Sequence, residues 1–149
     1  MKVFIVSLAM LLVFVSFLAF SSDMDRYVRM QDHLKALAED CAAGCALFTD
    51  EEAYSEGVMV IDSADARAYT AFLIGKAQKS MPPLANGAIE ASLRIFDDRK
   101  GYEGAAEYGL VSGIPGSAVT LTYTGEDIFR LPFITVTDIR RTAAYQWEN

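Results

Sequence analysis

The chain has 149 residues and a net charge of −7, a length that predicts one domain with room for an extra segment. The acidic balance, with no basic stripe interleaved with aromatics, sets aside nucleic acid as a partner. It equally sets aside a domain lying flat on anionic lipid.

The first element is an apolar run. Between Val3 and Phe20 only Ser7 and Ser16 are polar, and Lys2 is the sole charge before Asp23. At about 1.5 Å per residue, residues 3–22 span roughly 30 Å as a helix, the thickness of a bilayer's hydrocarbon core. A helix apolar all round is not a surface helix of a small soluble domain. Two readings follow. One is a secretory signal, with Lys2 as its positive region and small residues around Ala19–Ser21 for a cut. The other is an uncleaved anchor with its N-terminus cytoplasmic and the rest extracytoplasmic. Signal-peptide apolar regions usually run about 7–15 residues, so the length favours the anchor. The expected division is 1–22 as transmembrane anchor and 23–149 as head.

Nothing stops the helix beyond Ser22. The first glycine is Gly44, and no proline comes before it. Met24, Tyr27, Val28, Leu34, Leu37, Ala38, Cys41, Cys45 and Phe48 recur at three-four spacing, which predicts one buried stripe. The expectation is a single helix from about Val3 to Phe48, half in lipid and half against the head.

The head begins with an acidic turn, "TDEEAYSEG". "VMVID" (58–62) predicts a short buried strand. Asp62 or Ser63 caps a helix through residue 78, with Ala66, Tyr69, Leu73 and Ala77 facing inward, ended by Pro82 and Pro83. "AIEASLRIFD" alternates, with Ile89, Ala91, Leu93 and Ile95 on one face. "DDRKG" turns the chain. "SAVTLTYTG" predicts a half-buried antiparallel strand with its threonines to water. A final strand opens at Pro132 and runs to near Trp147, and residues 110–114 add a short edge strand. The fold class expected is α+β: a long N-terminal helix on an antiparallel sheet of three or four strands, with one further helix.

This plan resembles the pilins, and most closely the TadE-like pseudopilins of tight-adherence pilus systems. The residues that carry the likeness are the anchor, "DRYVRMQDHLKALAEDCAAGCAL" just beyond it, and the closing "AVTLTYTGEDIFRLPFITVTDIRRTAAYQWE". Prepilins are cut after a glycine ahead of the apolar run, and major pilins carry a glutamate early in it. This sequence shows neither, which puts that processing and packing through a buried glutamate in question. The resemblance implies a minor, membrane-anchored subunit of a pilus or secretion assembly. Its partners would be the membrane through residues 3–22, other pilus or secretion subunits, and further copies of itself. The alternative is a secreted α+β binding module whose signal is removed.

Catalytic and metal-binding patterns are not expected. His33, the one histidine, has Arg29, Gln31 and Lys35 as helix neighbours and reads as a solvent-facing residue. Cys41 and Cys45 share a helix face but lack a second ligand pair for zinc. They read as apolar members of the stripe with free thiols, or as a disulfide within or between copies. Asp97 and Asp98, like Glu51 and Glu52, read as acidic surface pairs. No cofactor and no enzymatic activity is expected. The long segment "GYEGAAEYGLVSGIPG" carries Tyr102 and Tyr108, which look exposed and mark the first loop to search for partner contacts.

Overall fold

Between Lys2 and Ala46 the backbone is uninterrupted. This is α1, a single helix of 45 residues in the computed structural model, which describes residues 1–131 and 133–147. At 1.5 Å per residue it is about 68 Å long. The helix ends two residues short of Phe48. That side chain still packs inward, its ring 5.4 Å from Tyr69.

Short α2 (Glu51–Ser55) and long α3 (Ser63–Ser80) follow, then α4 (Pro82–Ala85). Asp62 caps α3 as expected. Its carboxylate accepts from the N–H groups of Ala64 (2.7 Å) and Asp65 (3.2 Å), two of the donors that a helix start leaves unpaired. The prolines end α3 by opening α4.

The described residues form one antiparallel sheet in the order β1-β2-β3. Its strands are β1 (Ala88–Phe96), β2 (Gly116–Thr124) and β3 (Asp138–Gln146). Period-2 alternation sets the faces. On the front, Ile89, Leu93, Val119, Leu121, Tyr123 and Ile139 join Met30, Leu34, Leu37, Ala38 and Cys41 of α1 in the main core. Leu34, Cys41, Val119 and Leu121 are wholly buried. Each fully buried aliphatic side chain contributes about 1.5–3 kcal/mol. On the back, Phe96, Ala105, Leu110 and Ala118 form a second, smaller core. The 97–115 loop covers that end of the sheet.

The register fixes how the head lies along α1. Ser117, at the start of β2, donates to the Ala42 carbonyl at 2.6 Å. Trp147, just past β3, donates its indole N–H to the Ala46 carbonyl at 2.8 Å. The far end of the sheet therefore meets the C-terminal end of α1. The ends of β2 and α3, and the starts of β1 and β3, lie back toward residues 20–30.

Four expectations need correction. Residues 58–62 form no strand. They are extended and tied on two sides, with Asp50 N–H to the Val60 carbonyl (2.9 Å) and Asp98 N–H to the Met59 carbonyl (3.1 Å), but the only ladder pairing is an isolated bridge, Thr49 to Ile61. Residues 110–114 are turn, not edge strand. Their contacts to the end of β3 run through the Gln146 side chain, which bonds Val111 and Ile114. The last strand starts at Asp138, not near Pro132, which lies outside the described residues. The threonine face of β2 is only partly wet: Thr120 is buried and its hydroxyl meets that of Thr142 at 2.9 Å, because β2 is central and paired on both sides.

Candidate functional site

α1 is long and apolar enough to cross a membrane, and none of its most apolar 18-residue window is buried against the head. The head meets α1 from Phe20 onward. That exit region is where the chain's least expected chemistry sits.

Asp23, the first charge after the apolar run, is completely buried. Its carboxylate accepts the Arg130 backbone N–H at 3.0 Å and lies 3.2 Å from the Arg130 Nε. The same loop packs Phe129 against both sides of Asp23, with ring centroids 6.0 Å from Phe20 and 6.1 Å from Tyr27. Offset and tilted aromatic pairs at this range are favourable. The loop, residues 125–137, is braced from within. Gly125 N–H donates to the Thr137 carbonyl and Ile128 N–H to the Val136 carbonyl. The Asp127 carboxylate accepts from Phe129 N–H (3.1 Å) and Val136 N–H (3.0 Å). Those bonds favour the ionised form and hold Asp127 below the usual carboxylate range, the Val136 bond contributing most.

Met24 and Val28, expected in the buried stripe, are exposed. With Phe17 they leave a row of exposed apolar side chains on α1 that continues past Ser22. Met30, Ala42, Gly44 and Ala46 take the buried positions instead.

Cys41 and Cys45 lie in the main core as free thiols. Burial, with Cys45 and Asp40 adding to it, pushes the Cys41 thiol up to about 12. The Cys45 thiol lies 3.3 Å from the Ala66 carbonyl and 3.1 Å from the Thr70 hydroxyl. Burial raises it too, and the Thr70 contact partly offsets the rise. A protonated thiol in an apolar stripe is an inert packing group.

Tyr102 and Tyr108 are half-buried rather than exposed, and both pack on the back core. Tyr102 donates to Asp98 at 2.7 Å. Burial first, then that bond, raises its phenol well above the ordinary value. The Tyr108 ring lies 5.9 Å from Phe96, with the Arg94 guanidinium 5.8 Å over its face. Asp97 is no surface acid: it is buried and accepts from Ile61, Arg99 and Lys100 N–H groups. Asp98, its exposed neighbour, accepts from Met59 N–H. The pair therefore ties the turn to residues 59–61. His33 is half-buried on α1. The described residues contain no group of three or more His, Cys, Asp or Glu placed to hold a metal ion.

A cleft of about 630 Å³ lies between α3 and the outer edge of β1. Ile74, Ile89 and Leu93 give it an apolar floor, and Arg67 and Gln78 a polar rim. Among the described residues β1 pairs only with β2, so its other edge presents unpaired backbone groups to this cleft.

Comparison with protein-family models, with curated proteins and with solved structures returns no match.

Proposed function

We propose that this chain is a non-enzymatic, membrane-anchored subunit of a pilus or secretion assembly, built on the pseudopilin plan, with α1 as anchor and spine. The observation that carries the reading is the junction at Phe20–Tyr27. The helix passes from an all-round apolar segment into a core stripe without a break. The head grips that junction through Phe129 and the Asp23–Arg130 contact. The ridge of Phe17, Met24 and Val28 supplies a helix face for neighbouring subunits, and the open β1 edge supplies a second contact. The N-terminus is cytoplasmic and the head extracytoplasmic in this reading.

The same junction disfavours a secreted module. A cut around Ala19–Ser21 removes or isolates the Phe20 ring that packs on Phe129. A photo-crosslinking residue at Met24 or Val28, in cells that make the protein, tests the assembly. Adducts with pilus or secretion subunits in the membrane fraction support the reading. Recovery as a soluble monomer in the medium, about two kilodaltons short at its front for the loss of a signal, overturns it in favour of the secreted module.

A further inference from the structure

The loop that grips the exit of α1 also carries the most exposed large apolar side chain of the head among the described residues, Phe133, at 76%. Its place is set by covalent geometry. The Arg130 backbone N–H is bonded to Asp23, the residue that ends the charge-free run. An extended chain covers at most about 3.6 Å per residue, so Phe133 lies within roughly 11 Å of Arg130, the residue that bonds the end of that run. Ile134 N–H bonds the Leu131 carbonyl at 3.2 Å, which closes a turn with Phe133 near its tip. Leu131 and Ile134 beside it are half-buried. The Arg130 guanidinium sets its Nε against Asp23, while the side chain as a whole remains 69% exposed.

We infer that the turn carrying Phe133 is a membrane-seating element: Phe133 enters the bilayer interface on the head's side, with Arg130 beside it at the phosphate level. The inference rests on the anchor reading above. The occupant is lipid because the turn is continuous with the anchor. Phe129 packs on Phe20, the last aromatic of the apolar run, so a bilayer that surrounds α1 up to Ser22 reaches the turn as well. An exposed aromatic beside an extended cation matches that boundary, where apolar bodies sink and charged heads stay wet. Together with α1 the turn gives the head two points of contact with the membrane, which fixes its tilt.

The test uses the full chain in nanodiscs of phosphatidylcholine brominated along its acyl chains. Trp147, the native tryptophan, is replaced in a Trp147→Phe background. Single tryptophans are then placed by Phe133→Trp and, separately, by Leu12→Trp. Shallow bromines are expected to cut the Phe133→Trp emission at least two-fold, more than deep bromines do, while the unaltered chain's Trp147 stays unquenched. If Leu12→Trp is quenched but Phe133→Trp is not, the seating fails and the anchor stands. If neither is quenched, the anchor reading fails and the seating with it. Phe133 is exposed, so its substitution is expected to leave the melting temperature unchanged.

Discussion

Asp23 and Arg130 stand 107 positions apart in sequence, yet the carboxylate of one takes the backbone N–H of the other where the head meets the end of the apolar run. The Arg130 side chain is 69% exposed, which screens the pair, but Asp23 is wholly buried, so Arg130 still compensates part of a buried charge. The buried acceptor matters more. Asp23→Ala leaves the Arg130 N–H unpaired and is expected to cost about 1–3 kcal/mol. Asp23→Asn keeps an acceptor and is expected to cost less. Arg130→Gln, which keeps the backbone bond, is expected to cost less than Asp23→Ala. Denaturant melts of the full chain in detergent micelles measure all three. Equal losses for Arg130→Gln and Asp23→Ala contradict this division.

Asp127 gives the same loop a pH dependence. Its bonds to Phe129 and Val136 amides lower its folded value below the unfolded one. The contribution is thus complete above the ordinary aspartate value near 3.9 and is lost as pH falls through the lower folded value. An NMR titration of the Phe129 and Val136 amides is expected to show a shared midpoint below about 3.9. Asp127→Asn is expected to abolish that step.

Gly44 lies inside α1 at a point where the Tyr69 ring leaves no room for a side chain. A Cβ there overlaps the Tyr69 ring. Gly44→Ala gains about 1 kcal/mol in helix propensity, against an overpacking cost of about 1–3 kcal/mol. The net expected effect on thermal stability is a loss. In a Tyr69→Ala background the clash is gone, and Gly44→Ala is expected to become neutral or stabilising.

The two thiols give a direct probe of the core. With Cys41 buried and its thiol held protonated, the native protein is expected to resist a thiol reagent at neutral pH. Two thiols per chain are expected to react once denaturant is added without reductant. Because folding raises the Cys41 value, the stability of the fold is undiminished by this thiol below the ordinary thiol value of about 8.5 and falls as pH climbs toward about 12. Fewer than two reactive thiols in denaturant point to a disulfide instead.

Much of the fold is legible in the sequence because its periods are strong. α1, α3, β1 and β2 follow from apolar spacing, an Asp cap and paired prolines. The burial of Asp23 has a signal too, since positions 23, 27, 30 and 34 share one helical face. A charge on that face reads as surface until its partner is known, and Arg130 is too distant in sequence for local rules to find. Residues 133–137 alternate like a strand, but the Asp127 carboxylate takes the Val136 N–H that a ladder would need. The tyrosines of the 97–115 loop look exposed because nothing local reveals that the loop folds back over Phe96 and Ala118.

The continuity of α1 past Ser22, from the apolar run into the core stripe, is the claim on which the account stands. Spin labels on Leu12→Cys and Ala36→Cys, both exposed sites, report on it when Cys41 and Cys45 are replaced by alanine and the chain sits in nanodiscs. One rigid helix places the two backbones roughly 36 Å apart, and a double electron-electron resonance trace is expected to give a single narrow distribution near that value. A broad distribution, or one centred well short of it, means the helix breaks between anchor and head and contradicts the account.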